Sequence, residues 1–182
     1  MKFKYNTRLA LIALAICFVG SILIGGGASL ERYRDTQAAL FEIGTTGDGN
    51  SIRNDLDVRC TAAYNLITLG KRYMPANAGE LTALADAITK LETAATVTEC
   101  FDANYELTLA ADHLYGTLLS YELSDTDRRL LSGQFTEMAS RNQTIGHDGY
   151  NEAAMQFNAL LSRFPTNLIA ALNGVSPLEL FR

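Results

Sequence analysis

His113 and His147 are the only histidines in the chain. In a helical protein their most demanding use would be a di-metal centre built from Glu-x-x-His pairs on facing helices. Position 110 is Ala and position 144 is Thr, so neither histidine has the glutamate such a centre needs. Both read as exposed structural residues. Asp48-Gly49-Asn50 invites a cation-loop reading, but the Asp-x-Asp-x-Asp-Gly spacing of a calcium loop is absent, and a plain turn remains. There is no Gly-x-Ser-x-Gly elbow, Gly-x-x-x-x-Gly-Lys loop or Cys-x-x-Cys pair. The residues therefore point to no catalytic constellation, no metal and no cofactor.

Cysteine offers the remaining chemistry. Cys17 lies in an apolar run, which leaves Cys60 and Cys100 as an even pair. In an exported domain that pair is a candidate disulfide, and two buried thiols are the alternative. Geometry decides between them. If residues 79–122 form one helix, the two cysteines sit at levels that differ by about 10 Å. If the chain turns back at Thr96, Cys100 opens a new helix near the level of Cys60, and a bridge becomes feasible.

The elements that hold these residues follow from composition and spacing. A chain of 182 residues, 48% hydrophobic and 19% charged, suits one globular domain. Its net charge of −5 is unevenly spread. Lys2, Lys4 and Arg8 precede an uncharged stretch from Leu9 to Leu30, while residues 31–182 hold 12 basic against 20 acidic groups, a net of −8. An acidic domain without a basic stripe excludes nucleic acid as a partner. As a helix, Leu9–Leu30 would reach about 33 Å, enough to cross a hydrocarbon layer of about 30 Å. The alternative is a cleaved signal peptide, with Gly26-Gly27-Ala28 as the small residues of the cleavage site. Three basic residues before the span against Arg32 and Arg34 after it favour a cytoplasmic amino terminus and an exported domain. Within the span Ala13, Cys17, Ser21, Gly25 and Ser29 recur every four residues, a ridge of small side chains on which a second helix can pack.

Beyond the span no stretch alternates as a strand does, and apolar spacings of three and four run throughout. One stripe is Leu56, Cys60, Ala63, Ile67, Gly70 and Met74. A second is Leu81, Leu84, Ile88, Leu91 and Ala95, and a third runs from Cys100 through Asn104, Leu107, Ala111, Leu114 and Leu118 to Tyr121. Leu131, Phe135, Met138, Asn142, Ile145 and Gly149 form the next. Tyr150, Ala154, Phe157, Leu161 and Phe164 follow one position out of phase. Asn77 with Glu80, Thr96 with Glu99, and Ser124 with Asp127 have the form of helix starts. The expected plan is all-α: a basic end (1–8), an anchor (9–30), a stalk and Gly-rich loop (31–50), an antiparallel up-and-down four-helix bundle (51–164) and an apolar tail (165–182). Its helices fall at about 51–74, 79–95, 98–122 and 125–164. Gly146 and Gly149 invite a break in the last, since each Gly costs a helix about 1 kcal/mol relative to Ala. If that helix continues, its second half should pack along 31–43.

The segment Tyr150-Asn151 through Phe157-Asn158 to Phe164-Pro165-Thr166-Asn167-Leu168-Ile169-Ala170 resembles the signature of the LemA family, in which a Tyr-Asn recurs after seven residues and leads into Phe-Pro-x-Asn-Leu-Ile-Ala. A second match runs from Leu56-Asp57-Val58-Arg59 through Asn65-Leu66-Ile67 to Lys71-Arg72-Tyr73. The family's usual Trp is missing, Tyr64 replaces a common Pro, and Gly146 and Gly149 enter a usually continuous helix. The resemblance implies a membrane-anchored helical bundle of the bacterial cell envelope with no established enzymatic activity. The expected function is assembly, scaffolding or partner holding, with another copy or another envelope protein as the partner. An extracytoplasmic ligand-binding or sensor bundle is the alternative. Tyr150, Asn151, Phe157, Asn158, Phe164, Pro165, Asn167, Leu168 and Ile169 are the expected motif and interface residues.

Overall fold

The computed structural model describes residues 7–45 and 50–182. Among them are seven α-helices and no strand: α1 (Thr7–Ile43), α2 (Ile52–Gly70), α3 (Gly79–Thr93), α4 (Val97–Leu118), α5 (Asp125–Gly146), α6 (Tyr150–Leu161) and α7 (Thr166–Asn173). The chain divides into two compact units. A first unit takes Met1–Ala38 and Ala153–Leu178, and a bundle unit takes Ala39–Glu152 and Glu179–Arg182.

In the bundle unit α2 packs against α3 and α5, α3 against α4, and α4 against α2 and α5, the four-helix arrangement expected from consecutive helices joined by short turns. The periodic residues form its core: Leu56, Cys60, Ala63, Ile67, Leu81, Leu84, Ile88, Leu91, Cys100, Leu107, Ala111, Leu114, Leu118, Leu131 and Met138 are all buried. Ala95 and Tyr121 are exposed, because α3 ends at Thr93 and α4 at Leu118.

The chain turns back at Thr96. The Thr96 hydroxyl accepts from the Glu99 amide, and the Glu99 carboxylate accepts from the amides of Ala95 and Thr96, which also hold that carboxyl below its usual range. Ser124 caps α5 through the Asp127 amide at 3.1 Å. The start expected at Asn77 is different: Ala78 is the N-cap of α3 and no side chain caps it. Ser51 caps α2 through the Asn54 amide.

The single helix expected over 125–164 is broken. α5 stops at Gly146, and α6 restarts at Tyr150, whose amide donates to the Asp148 carboxylate at 2.7 Å. Gly149 has a packing reason, since a Cβ there would lie 2.9 Å from Thr45 Cγ2. The break falls where the apolar stripes slip by one position.

In the first unit α1 carries the apolar run as uninterrupted helix, and the same helix continues to Ile43, the end of the expected helical stalk. Phe157 is fully buried, with the Tyr33 ring edge-on at 5.6 Å. α7 lies along α1. The Ile169 side chain comes within 3.3 Å of where a Gly26 Cβ would be, Asn173 occupies the space of a Gly27 Cβ, and the Asn173 amide donates to Leu23 O at 3.1 Å. Glycines in α1 thus admit α7 to the helix backbone.

Candidate functional site

Arg59 sits among the core residues of α2 and is 1% exposed. Its position is dictated by spacing: three residues after Leu56 and four before Ala63, it shares their inward face. One Nη donates to the Asn142 Oδ1 of α5 and the other to the Thr108 hydroxyl of α4 at 2.7 Å. Asn104 Nδ2 donates to the same Asn142 oxygen at 3.2 Å. A guanidinium has five N–H donors, so three remain, among them a buried Nε without a partner; Asn104 Oδ1 is also buried and unpartnered. No ion pair among the described residues includes Arg59. Burial pulls its pKa down to about 10, against the opposing charges of Cys60 and Asp112.

Arg59, Thr108 and Asn142 line a cavity of about 160 Å³, completed by Ala111, Phe135, Met138 and Ala139, with exposed Asp112 at its edge. A buried positive charge with spare donors beside an apolar-walled cavity suits a small carboxylate, which a guanidinium fork can meet with two hydrogen bonds.

The bundle unit also holds the chain's last residues by their backbone. Asn151 Nδ2 donates to Phe181 O at 2.9 Å, and the Phe181 amide returns a bond to Asn151 Oδ1 at 2.8 Å. The Tyr150 hydroxyl donates to Glu179 O at 2.9 Å. The Glu179 carboxylate accepts from the Thr98 amide at 3.0 Å, so the tail supplies a partner to the first turn of α4. The Phe181 ring lies edge-on to Phe101 at 5.3 Å and 6.1 Å from Phe41, over which the Arg53 guanidinium sits at 5.1 Å. The first unit contains the same device: Asn158 Nδ2 donates to Leu178 O at 2.9 Å and Asn158 Oδ1 accepts from the Leu178 amide at 2.8 Å.

Comparison with known families gives a match to the LemA family model over residues 49–182. The chain belongs to the LemA family. No curated protein matches it. The LemA match begins just before α2 and includes Arg59, the Asn heptad and the tail that the heptad holds.

The remaining motif positions of this LemA chain separate by environment. Tyr150 and Phe157 are core residues. Phe164, expected on the same buried stripe, is instead 82% exposed, because α6 ends at Leu161 and the chain turns. Pro165, joined to Phe164 by a cis peptide bond, immediately precedes α7. Asn167 and Leu168 are exposed, whereas Ile169 faces Gly26. Cys60 and Cys100 are free, buried thiols. Arg53 Nη2 donates to Cys100 Sγ at 3.4 Å, and burial pushes the Cys60 thiol up to about 11. On the small-residue ridge, Ser21 and Ser29 bond back to Cys17 O and Gly25 O, and a Cβ at Gly25 would meet no other side chain within 4 Å. His113 and His147 are exposed, and no metal-holding cluster occurs among the described residues. Asp48 lies outside the described residues.

The sequence reading passed over Arg59 and found Asn151 and Asn158 without their partners. The signal for Arg59 was present: an arginine within the Leu56–Met74 stripe, facing stripes that themselves contain Asn104 and Asn142.

Proposed function

We propose that this chain is a single-pass protein of the bacterial cell membrane. α1 anchors it, its bundle lies outside the cytoplasm, and it acts without catalysis as a scaffold that assembles with further copies and holds partners at the membrane. The observation that carries this reading is the bare apolar length of α1. Leu9, Leu11, Ile12, Leu14, Ile16, Phe18, Ile22 and Ile24 are all about half exposed or more, on a helix long and apolar enough to cross a membrane. Such a surface is unstable in water. Self-association is supported by the two kinds of glycine in α1. Gly26 and Gly27 are occupied by α7, whereas Gly25, on the ridge with Ala13, Cys17, Ser21 and Ser29, is open to a second helix.

The test is cross-linking of the full chain in membranes, comparing wild type with Gly25→Leu and with Gly20→Leu, which lies off the ridge. Loss of cross-linked species in Gly25→Leu alone supports the reading. Equal ladders in all three contradict it.

The cavity beside Arg59 favours a second reading, a ligand-binding bundle for a small carboxylate. A stabilising thermal shift with a simple carboxylate, absent in Arg59→Met, would support it; no shift with any of a carboxylate series would oppose it.

A further inference from the structure

The medium around α1 must also meet the outer face of α7. α7 contacts α1 at Leu23, Gly26 and Gly27, inside the uncharged run Leu9–Leu30. Those positions lie about 21–27 Å along the helix from Leu9, within a layer of about 30 Å that begins there. Residues 164–178 contain no charged side chain. The inner face of α7 is used: Ala170 is buried, Ile169 fills the Gly26 notch, and Asn173 spends its amide on Leu23 O and Ile169 O. Its outer face is apolar and bare, with Leu168 50% and Leu172 61% exposed and Phe164 beside them at 82%.

We propose that the outer face of α7 is a lipid-contact surface, seated in the acyl region of the leaflet next to the exported side, so that the chain meets the bilayer with a second, non-spanning element. The inference rests on the anchor reading of α1 and adds to it. Charge placement agrees. Arg163 precedes the uncharged segment, and Arg34, seven residues beyond Gly27, donates to Ser176 O at 3.0 Å, holding the end of the segment about 10 Å further along α1. An arginine at the level of Arg34 reaches headgroups while apolar side chains enter the acyl region. Lipid is the favoured occupant because the surface is continuous with the α1 surface that lipid would cover.

The chain has no Trp, so single tryptophans report without background. The full-length protein is reconstituted into phosphatidylcholine vesicles with or without brominated acyl chains. Leu168→Trp, Leu172→Trp, Leu14→Trp in α1 and Tyr105→Trp on the exposed bundle surface are compared. The expected result is loss of emission from brominated lipid at 14, 168 and 172, with none at 105. Quenching at 14 without quenching at 168 and 172 overturns the inference and leaves the anchor standing. A blue-shifted, unquenched signal at 168 assigns the surface to protein and likewise overturns it. No quenching at 14 overturns the anchor reading and the inference together.

Discussion

Asn151 and Phe181 form a closed pair in which the side-chain amide uses both its donor and its acceptor on one residue's backbone, at 2.9 and 2.8 Å. The asparagine reads main chain, which explains why an Asn, and no longer or charged residue, stands beside the core aromatic. It also fixes the position of Phe181, whose ring closes the cluster of Phe41 and Phe101.

Replacing Asn151 by Leu keeps the volume and removes both bonds, leaving the amide and carbonyl of a buried residue unpaired. The expected loss is about 2 kcal/mol in urea unfolding, with faster amide exchange at Phe181. Asn151→Asp keeps only the acceptor and should fall between.

Asp127 accepts hydrogen bonds from the Tyr73 hydroxyl and from Arg72 at 2.6 Å, and its carboxyl lies below its ordinary 3.8, with the Tyr73 bond the first cause and Ser124 and Arg72 contributing. A depressed carboxyl stabilises the fold above its unfolded value and loses that contribution as pH falls through its folded value. The stability difference between wild type and Asp127→Asn should therefore be constant well above 3.8 and shrink below it. A difference unchanged in acid would contradict the assignment.

Arg59 and Leu107 are both buried, yet they should respond oppositely to truncation or replacement. Arg59→Met removes a buried charge that no ion pair holds, while Asn142 Oδ1 keeps Asn104 and the Thr108 hydroxyl keeps Asn104 O. Its unfolding free energy should stay within about 1 kcal/mol of wild type. Leu107→Ala opens a cavity in the same helix layer and should cost about 2–5 kcal/mol.

Cys60 and Cys100 should behave as two buried thiols. Without reductant they should resist an aqueous thiol reagent in the folded protein and both react after unfolding in denaturant. A chain whose Cys60 and Cys100 remain unreactive even when unfolded would establish the bridge and require the local geometry to change.

Much of this was legible in the sequence where the cause was local. The whole Leu56 stripe became core, as did Leu81, Leu84, Ile88 and Leu91 of the second stripe and Leu131, Met138 and Ile145 of the fourth, because spacing alone selects a helix face, whereas Phe135 is half-buried and Asn142 exposed. Thr96 with Glu99 formed its capping box because both partners lie within one turn. Asn77 with Glu80 has the same form but yields no side-chain cap, since the turn from Pro75 places Ala78 at the cap. The break at 147–149 depended partly on Thr45, about a hundred residues away in sequence, and no periodicity reports that contact. The partners of Asn151 and Asn158 lie in an irregular tail, where neither a period of 3.6 nor one of 2 marks a register. Phe164 was misplaced because extending the stripe assumed a helix that ends at Leu161.

On the proposed reading α1 is retained as an anchor and carries assembly of the LemA chain. Native mass measurement of the full-length protein extracted in mild detergent tests it directly. The expected species are a multimer of chains that keep residues 9–30, and a monomer for Gly25→Leu. Monomers of wild type, or chains cut after the Gly26-Gly27-Ala28 run, would contradict it.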